Sequence, residues 1–230
     1  MKKKIVILGS TGSIGKTTDE IIKKDKKSFD VILLTANNNF REINKQIKYL
    51  NPKNLVINNK KIYLELKKKY KKINIFNNFD LFFKKFNKKV DYTISAISGL
   101  SGLQPTLDII KHTKNVAIAN KESIICAWNL IEKELKKNNT KFIPVDSEHF
   151  SIWCLLKNKK IKTVEEIIIT ASGGPFLNWK VNKIKKATPK FAIKHPNWSM
   201  GKKISVDSAT MMNKVFELIE AQRIFNLDRS

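Results

Sequence analysis

Along residues 1–145, short runs rich in isoleucine and valine alternate with amphipathic segments that carry lysine on one face. This alternation is typical of parallel strands joined by helices, because the helices cover both faces of the sheet and leave its strands buried. It predicts strands at residues 5–8, 31–34, 55–57, 73–76, 92–96, 116–119 and 142–145, and helices at residues 14–24, 40–50, 62–70, 103–111 and 123–136. The predicted fold class is therefore α/β, with a doubly wound and mostly parallel sheet.

The alternation ends close to residue 145. Beyond it, the pattern predicts a helix at residues 150–156, a strand at 167–170, an irregular stretch at 172–203 and a helix at 209–225. We therefore expect two domains, residues 1–145 and residues 146–230, of which the second has an α+β character.

Composition excludes disorder as the overall state of the chain. With 230 residues, of which 42% are hydrophobic, the chain can bury a core without a disulfide or metal. No apolar run is long enough to span a membrane, and the start Met1-Lys-Lys-Lys4 leads into a predicted strand rather than a signal peptide, so we expect a cytoplasmic protein. Cys126 and Cys154 lie in apolar sequence without ligand spacing, which predicts buried free thiols.

The net charge of +25 would suit a polyanion partner. However, only three of the 45 basic residues are arginines, and the lysines are spread along the whole chain beside many asparagines. Base recognition favours arginine and aromatic stacking platforms, so we expect no nucleic-acid partner. A basic nucleic-acid-binding protein remains the alternative.

A glycine-rich turn, Gly9-Ser-Thr-Gly12-Ser-Ile-Gly15, follows the first predicted strand and opens the first predicted helix. Such a turn allows close approach of a pyrophosphate to the helix N-terminus, as in Rossmann-like domains; a purely structural turn is the alternative. After the second strand, the segment Thr35-Ala-Asn-Asn-Asn-Phe-Arg41 has no carboxylate to bind the ribose diol of NAD or repel a 2′-phosphate. This favours NADP, with Arg41 either a phosphate partner or a plain surface residue.

Two carboxylates, Asp146 and Glu148, lie at the carboxyl end of the strand predicted at residues 142–145, where open α/β sheets bind ligands. Two positions apart, they can share a hard cation such as Mg²⁺ or Mn²⁺, although a solvated loop end would look the same. On the last predicted helix, Asn213 and Lys214 share a face with Glu217, which indicates a metal and phosphate site or an ordinary amphipathic helix.

Two later segments suit an anionic substrate. Ser172-Gly-Gly-Pro175 offers small residues with free N–H groups, as a plain turn also would. The segment His195-Pro-Asn-Trp-Ser-Met-Gly201 could close over a ligand, or its histidine could be merely structural.

Six motifs in order along the chain resemble the 1-deoxy-D-xylulose 5-phosphate reductoisomerase family: Leu8-Gly-Ser-Thr-Gly-Ser-Ile-Gly15, Ala119-Asn-Lys-Glu-Ser123, Pro144-Val-Asp-Ser-Glu-His149, Ser172-Gly-Gly-Pro-Phe176, His195-Pro-Asn-Trp-Ser-Met-Gly201 and Lys203-Ile-Ser-Val-Asp-Ser-Ala-Thr-Met-Met-Asn-Lys214. The resemblance implies rearrangement of 1-deoxy-D-xylulose 5-phosphate and its reduction by NADPH to 2-C-methyl-D-erythritol 4-phosphate, in isoprenoid precursor synthesis. It also implies a divalent cation, Mg²⁺ or Mn²⁺, with Co²⁺ as a third candidate.

Residue roles carried over from the family are expectations from this resemblance. The metal ligands would be Asp146, Glu148 and Glu217, which with Lys121 and His195 make up the catalytic set. The substrate, a small phosphorylated sugar, would contact Lys121, Ser147, Glu148, Ser172, His195, Trp198, Ser208, Asn213, Lys214 and Glu217, with Met200 as apolar cover. NADPH would contact Gly9, Thr11, Gly12, Ser13, Ile14, Asn37, Asn38, Asn39, Asn120, Glu122 and Gly201.

Two departures from the family pattern accompany the resemblance. Asn37-Asn38-Asn39 stands where many relatives have Gly-Lys-Asn, so a lysine near the expected 2′-phosphate is missing. Family members are also longer, with a further sheet segment, a linker and a C-terminal helical domain, so residues 146–230 are expected to be a truncated catalytic domain. The resemblance implies a homodimer. An inactive remnant that still binds the dinucleotide is the alternative to an active enzyme.

Overall fold

The computed structural model describes residues 1–159, 161–194 and 201–227. The chain forms two compact units, Met1–Val145 and Asp146–Ser230. This division falls where the alternation of strand and helix patterns ends in the sequence.

A seven-stranded, all-parallel sheet forms the first unit, and the α/β fold class is confirmed. Its strands are β1 (Lys3–Leu8), β2 (Phe29–Ala36), β3 (Asn54–Ile57), β4 (Asn74–Phe76), β5 (Val90–Ser95), β6 (Thr113–Ile118) and β7 (Lys141–Pro144). Their order in the sheet is β4-β3-β2-β1-β5-β6-β7, so the chain first winds outward from β1 in one direction and then returns to β5 on its other side.

Six helices connect these strands: α1 (Ser13–Lys24), α2 (Phe40–Leu50), α3 (Lys60–Lys69), α4 (Phe79–Phe83), α5 (Leu103–Ile110) and α6 (Lys121–Asn138). Asparagine starts four of them, because its side-chain oxygen accepts a hydrogen bond from a first-turn N–H group; these caps are Asn39, Asn59, Asn78 and Asn120. Asparagine also ends α2 and α6 in the left-handed conformation. Six asparagines of this unit therefore stabilise the start or the end of a helix.

Both faces of the sheet are buried, as the sequence predicts. Ile5 and Ile7 of β1 belong to one apolar cluster, and the intervening Val6, with Leu8, belongs to another. Successive side chains of a strand point to opposite faces, so the two clusters lie on opposite sides of the sheet. Burial on both faces explains why the strands read as nearly continuous apolar runs.

The described part of the second unit is helical, with α7 (Ser147–Leu155), α8 (Val181–Ile184), α9 (Pro189–Ala192), α10 (Lys202–Ala209) and α11 (Met212–Phe225). The strand predicted at residues 167–170 is wrong, since no described residue of this unit forms a strand with which it could pair. The helix predicted at 209–225 corresponds to α11, which begins at Met212 after Met211, whose φ is 62°. The preceding α10, most of which was predicted to be irregular or left unassigned, is a separate helix.

The prediction of buried thiols is also wrong: Cys126 and Cys154 are both free and both exposed. Cys126 lies on the outer side of α6, and the apolar neighbours of Cys154, Trp153 and Leu155, are exposed along with it. No helix formed by the described residues combines the length and the apolar character that a membrane crossing needs.

Candidate active site

The glycine turn lies where the winding of the sheet reverses, between β1 and β5. Gly9 has a φ of 79°, and a Cβ atom there would lie 2.6 Å from the carbonyl oxygen of Ala96, just beyond β5. A Cβ at Gly15 would lie 2.5 Å from the carbonyl oxygen of Gly9, whereas Gly12 has room for one. Gly9 and Gly15 are thus required by the turn itself, at the position where doubly wound sheets bind ligands.

The N-terminus of α1 is open to a ligand. Gly12 precedes the helix and supplies no side-chain cap, and the first turn contains no acidic residue. Gly12, Ser13 and Ile14 are exposed, and Thr11 is half-buried. The first N–H groups of α1 and their partial positive charge can therefore meet a pyrophosphate.

Two buried polar residues that the sequence analysis missed hold this turn. The hydroxyl of Thr35 accepts a hydrogen bond from the Gly9 N–H group at 2.8 Å, and the side-chain amide of Gln46 donates to the Ser10 carbonyl at 2.8 Å. Thr35 is 3% exposed and Gln46 fully buried. The signal in the sequence was Gln46 itself, a polar residue on the apolar face of α2.

The segment after β2 matches its description from sequence. Asn37, Asn38 and Asn39 are all exposed, and Arg41 is exposed beside them. Asn39 also caps α2 by accepting from the Glu42 N–H group at 3.1 Å. The exposed surface after β2 therefore consists of amides and one guanidinium.

The side chain of Asn120 connects two segments through hydrogen bonds. It is 3% exposed, its side-chain oxygen accepts from the Ser123 N–H group at 2.6 Å, and its amide donates to the carbonyl of Gly99 at 2.8 Å and to that of Ile97. It thereby joins the loop after β5 to the start of α6. Lys121 and Glu122, which follow it, are half-buried in the first turn of α6.

In the second unit, the structure brings together three carboxylates from two helices. Asp146 precedes α7, Glu148 lies in its first turn, and Glu217 lies on α11. One oxygen from each of the three lies within 4.8 Å of the others. Glu217 is only 1% exposed, so its charge is shielded from water and needs a cation.

This donor set fits a hard divalent cation, because it consists of carboxylate oxygens alone. Burial opposes ionisation of Glu148, but its hydrogen bonds with Asp146, Ser147 and Lys214 outweigh that effect and lower the pKa of Glu148 to about 2. Glu148 is therefore ionised at neutral pH, the form that a metal ligand requires.

Lys214 lies among these carboxylates. Its ammonium is 3.1 Å from Glu148 Oε1 and contacts Glu217 Oε2. Burial opposes the charged ammonium, yet the hydrogen bonds to Glu217 and Glu148 prevail and raise the pKa of Lys214. Asn213 donates to the other oxygen of Glu217, while its own Oδ1 is buried with no partner among the described residues.

His149 and Glu220 were given no role by the sequence analysis, and both are almost fully buried. The Nε2 atom of His149 donates to the backbone carbonyl of Glu217 at 2.9 Å, which ties α7 to α11. Together with Asp146, they form a second group whose ligand atoms lie within 4.8 Å of one another. A signal was present, since each residue stands three positions after a carboxylate of the first group.

The remaining substrate residues are placed as follows. The turn at Gly174 packs against Ser208: the glycine has a φ of 62°, and a Cβ atom there would lie 2.7 Å from the Ser208 carbonyl oxygen. Ser172 is exposed, Ser208 half-buried, and the Ser147 hydroxyl donates to Glu148 at 2.7 Å. Gly201 is exposed and precedes α10. His195, Trp198 and Met200 lie outside the described residues.

Family models match nearly the whole chain. The model for 1-deoxy-D-xylulose 5-phosphate reductoisomerase matches residues 5–128, and that for the C-terminal domain of the same enzyme matches residues 142–225. The chain belongs to the 1-deoxy-D-xylulose 5-phosphate reductoisomerase family. The resemblance drawn from the six motifs is thereby confirmed.

Similar proteins of this family include the 1-deoxy-D-xylulose 5-phosphate reductoisomerase of Pelagibacter ubique, 59% identical over 98% of this chain and 59% of its own length. A structure of the Zymomonas mobilis reductoisomerase in complex with NADPH is 37% identical, with a TM-score of 0.88 over 99% of this chain and 59% of that one. A structure of DOX-P reductoisomerase in complex with NADPH, fosmidomycin and magnesium is 33% identical, with a TM-score of 0.89 over 98% of this chain and 59% of that one. The chain thus spans 59% of the length of these relatives.

Proposed function

We propose that the chain carries out, or contributes to, the NADPH- and divalent-metal-dependent conversion of 1-deoxy-D-xylulose 5-phosphate to 2-C-methyl-D-erythritol 4-phosphate. The observation that carries this proposal is the convergence of Asp146, Glu148 and Glu217, with one oxygen of each within 4.8 Å of the others. Family membership supplies the substrate, and the Zymomonas mobilis relative, which was solved with NADPH, supplies the cofactor.

In this proposal, Asp146, Glu148 and Glu217 hold Mg²⁺ or Mn²⁺. When bound, the cation polarises the substrate's carbonyl and stabilises the negative charge that develops on its oxygen. The buried Asn213 Oδ1, which has no partner among the described residues, would accept a hydrogen bond from a substrate hydroxyl. Burial of Glu217 keeps its carboxylate in one orientation, which would help to hold the substrate oxygens at the metal in a fixed position.

The other substrate contacts follow the family roles. We assign the phosphate to Ser172 and Ser208, which the turn at Gly174 joins through its backbone packing. Lys121 and Ser147 are assigned to further substrate oxygens, and His195 with Trp198 to the segment that covers the substrate.

We assign the dinucleotide to the first unit. The pyrophosphate would lie against the exposed N-terminus of α1, which has no side-chain cap. The ribose phosphate would lie beside the exposed amides of residues 37–39, and no carboxylate of that segment repels it.

An assay of NADPH oxidation tests the proposal. We expect turnover to require both 1-deoxy-D-xylulose 5-phosphate and Mg²⁺ or Mn²⁺, and to stop on addition of EDTA. Glu217→Gln should lower kcat/KM at least about 100-fold, because the metal supplies several kcal/mol of charge stabilisation and each 1.36 kcal/mol is tenfold in rate. Glu166→Gln, which changes an exposed carboxylate of the same unit, is the matched control and should have no effect.

Turnover that survives EDTA would contradict the proposed metal chemistry. Tight NADPH binding without turnover, under conditions where the substrate and metal also bind, would favour the inactive remnant instead.

A further inference from the structure

The ammonium of Lys214 occupies the centre of a strongly negative cluster. It lies 3.1 Å from Glu148 Oε1 and contacts Glu217 Oε2, so it bridges two of the three carboxylates assigned to the metal. Three carboxylates this close repel one another, the more so because Glu217 is 1% exposed. In the protein without metal, Lys214 supplies a compensating positive charge.

The ammonium of Lys214 is also engaged by three partners. An ammonium has three N–H donors and no acceptor. Lys214 donates to Glu148 and to the backbone carbonyl of Thr170 and forms an ion pair with Glu217, and its side chain is only 17% exposed. In this arrangement, the ammonium is held by these partners and not by a substrate phosphate or hydroxyl.

A divalent cation and this ammonium compete for the same oxygens. Mg²⁺ binds carboxylate oxygens at about 2.0–2.1 Å, so a cation held by Glu148 and Glu217 would lie next to an ammonium that is ion-paired with both. The two positive charges repel at that separation, and the carboxylates attract the smaller, doubly charged ion more strongly than they attract the ammonium.

We propose that Lys214 is an internal counter-ion that the divalent metal displaces, and that this displacement frees its ammonium for an anionic oxygen of the substrate. This inference rests on the proposed function, because it takes Asp146, Glu148 and Glu217 as the metal ligands. Metal binding then precedes productive substrate binding, and one residue couples the two events.

Titration of Mn²⁺ into the metal-free chain tests the proposal, with calorimetry or the electron spin resonance of free Mn²⁺ as the readout. Lys214→Met removes the competing charge and keeps most of the side-chain volume. Its Kd for Mn²⁺ should fall about tenfold, within the roughly 5–150-fold range typical of coupled binding. Lys214→Arg keeps the charge and should bind Mn²⁺ much as the original chain does.

The thermal melting point provides a second readout that does not depend on activity. Lys214→Met leaves three carboxylates without this counter-ion, so its Tm in EDTA should fall, and saturating Mn²⁺ should restore it. Lys203→Met is the matched control, because Lys203 pairs with Asp207 elsewhere in the same unit, and it should change neither the Kd nor the metal dependence of Tm.

Measuring Glu217→Gln as well separates a failure of the counter-ion role from a failure of the metal site. If the original chain binds Mn²⁺ through a site that Glu217→Gln removes, but Lys214→Met binds as weakly or more weakly, the counter-ion role is overturned while the metal site stands. If neither the original chain nor Lys214→Met has a Glu217-dependent site, the proposed metal site falls as well.

Discussion

A single hydroxyl controls the start of the glycine turn. Thr35 is 3% exposed, and its Oγ1 accepts the N–H group of Gly9, the residue on which the approach of the turn to Ala96 depends. A buried N–H group without a partner costs about 1–3 kcal/mol, so the geometry of this turn depends on a side chain outside its own motif.

Thr35→Val removes this acceptor and keeps the shape. We expect a loss of about 1–3 kcal/mol in the free energy of unfolding and a weaker affinity for NADPH, measured by urea unfolding and fluorescence titration. Thr35→Ser keeps the hydroxyl and should retain the affinity. Thr93→Val is the control, because the buried Thr93 hydroxyl has no hydrogen-bond partner in the part of the chain that the structure describes, and its removal should not destabilise the chain. Equal NADPH affinity in Thr35→Val and the original chain would count against this role.

His112 gives the first unit a pH dependence of its own. Its ring stacks on Phe83 at 5.5 Å, and Nε2 is buried with no partner among the described residues. Burial, and secondarily the charge of Lys111, lowers the pKa of His112 below its ordinary value of 6.5. The unfolded chain therefore binds a proton more readily than the folded one, and stability falls as the pH drops below about 6.5.

His112→Phe should flatten this part of the pH profile. Phenylalanine fits the aromatic contacts with Phe83 and Phe86 and brings no buried nitrogen to protonate. We expect the difference in the free energy of unfolding between pH 8 and pH 5 to be smaller in His112→Phe than in the original chain. Identical differences in urea unfolding would show that His112 does not contribute.

At the scale of elements, the pairing of α7 with α11 decides whether the three carboxylates meet. Besides the hydrogen bond from Lys214 to Glu148, these helices are joined by a hydrogen bond from His149 Nε2 to the Glu217 carbonyl. It acts on the backbone of a metal ligand rather than on the metal, so His149 is a positioning residue.

His149→Leu removes this hydrogen bond. We expect its Kd for Mn²⁺ to rise about 10–100-fold, as when other partners that orient metal ligands are lost, while NADPH affinity in the first unit is unchanged. His149→Gln, whose amide can donate to the same carbonyl, should recover part of the Mn²⁺ affinity. If His149→Gln recovers no Mn²⁺ affinity and both variants also lose NADPH affinity, the result would indicate a general folding defect instead.

The sequence was informative where a pattern is local. The strands of the first unit were predictable because Ile and Val runs buried on both faces have few other solutions. Helix α4 (Phe79–Phe83) was not predicted, because five residues are too few to show a helical period. The break at Met211 carries no glycine or proline, and residues 167–170 have a strand's composition without a partner strand.

The same limit applies to the site. Helical spacing alone placed Asn213 and Lys214 beside Glu217, and the structure shows both contacts. The approach of Glu217 to Asp146 and Glu148 depends on how α11 packs against α7, which no local pattern specifies. That expectation came from the resemblance to the family. His149 was missed because its spacing from Asp146 alone does not show that its ring bonds to the backbone carbonyl of Glu217.

At the scale of the whole molecule, the charge of +25 acts on every phosphorylated ligand. A strongly positive molecule attracts anions over distances set by the Debye length, about 10 Å at 0.1 M salt. The proposed ligands, NADPH and a phosphorylated sugar, are both anions, so the lysine-rich surface would favour their encounter in addition to any specific lysine contact.

The association rate of NADPH should therefore fall as salt is raised, while its dissociation rate changes little. Stopped-flow fluorescence at about 0.02 M and 0.3 M salt measures both rates, since the Debye length shortens severalfold over that range. An association rate independent of salt would show that the net charge plays no part.

The homodimer implied by the family stays a prediction, which light scattering of the purified chain tests.

A crystal of the chain grown with Mn²⁺ offers the most direct check, through the anomalous scattering of the ion. We expect one anomalous peak, from an Mn²⁺ ion bound to an oxygen of each of Asp146, Glu148 and Glu217. The Lys214 ammonium should no longer bridge Glu148 and Glu217. A peak seated instead on Asp146, His149 and Glu220, or no peak at a saturating Mn²⁺ concentration, would contradict the assignment of the three carboxylates as the metal site.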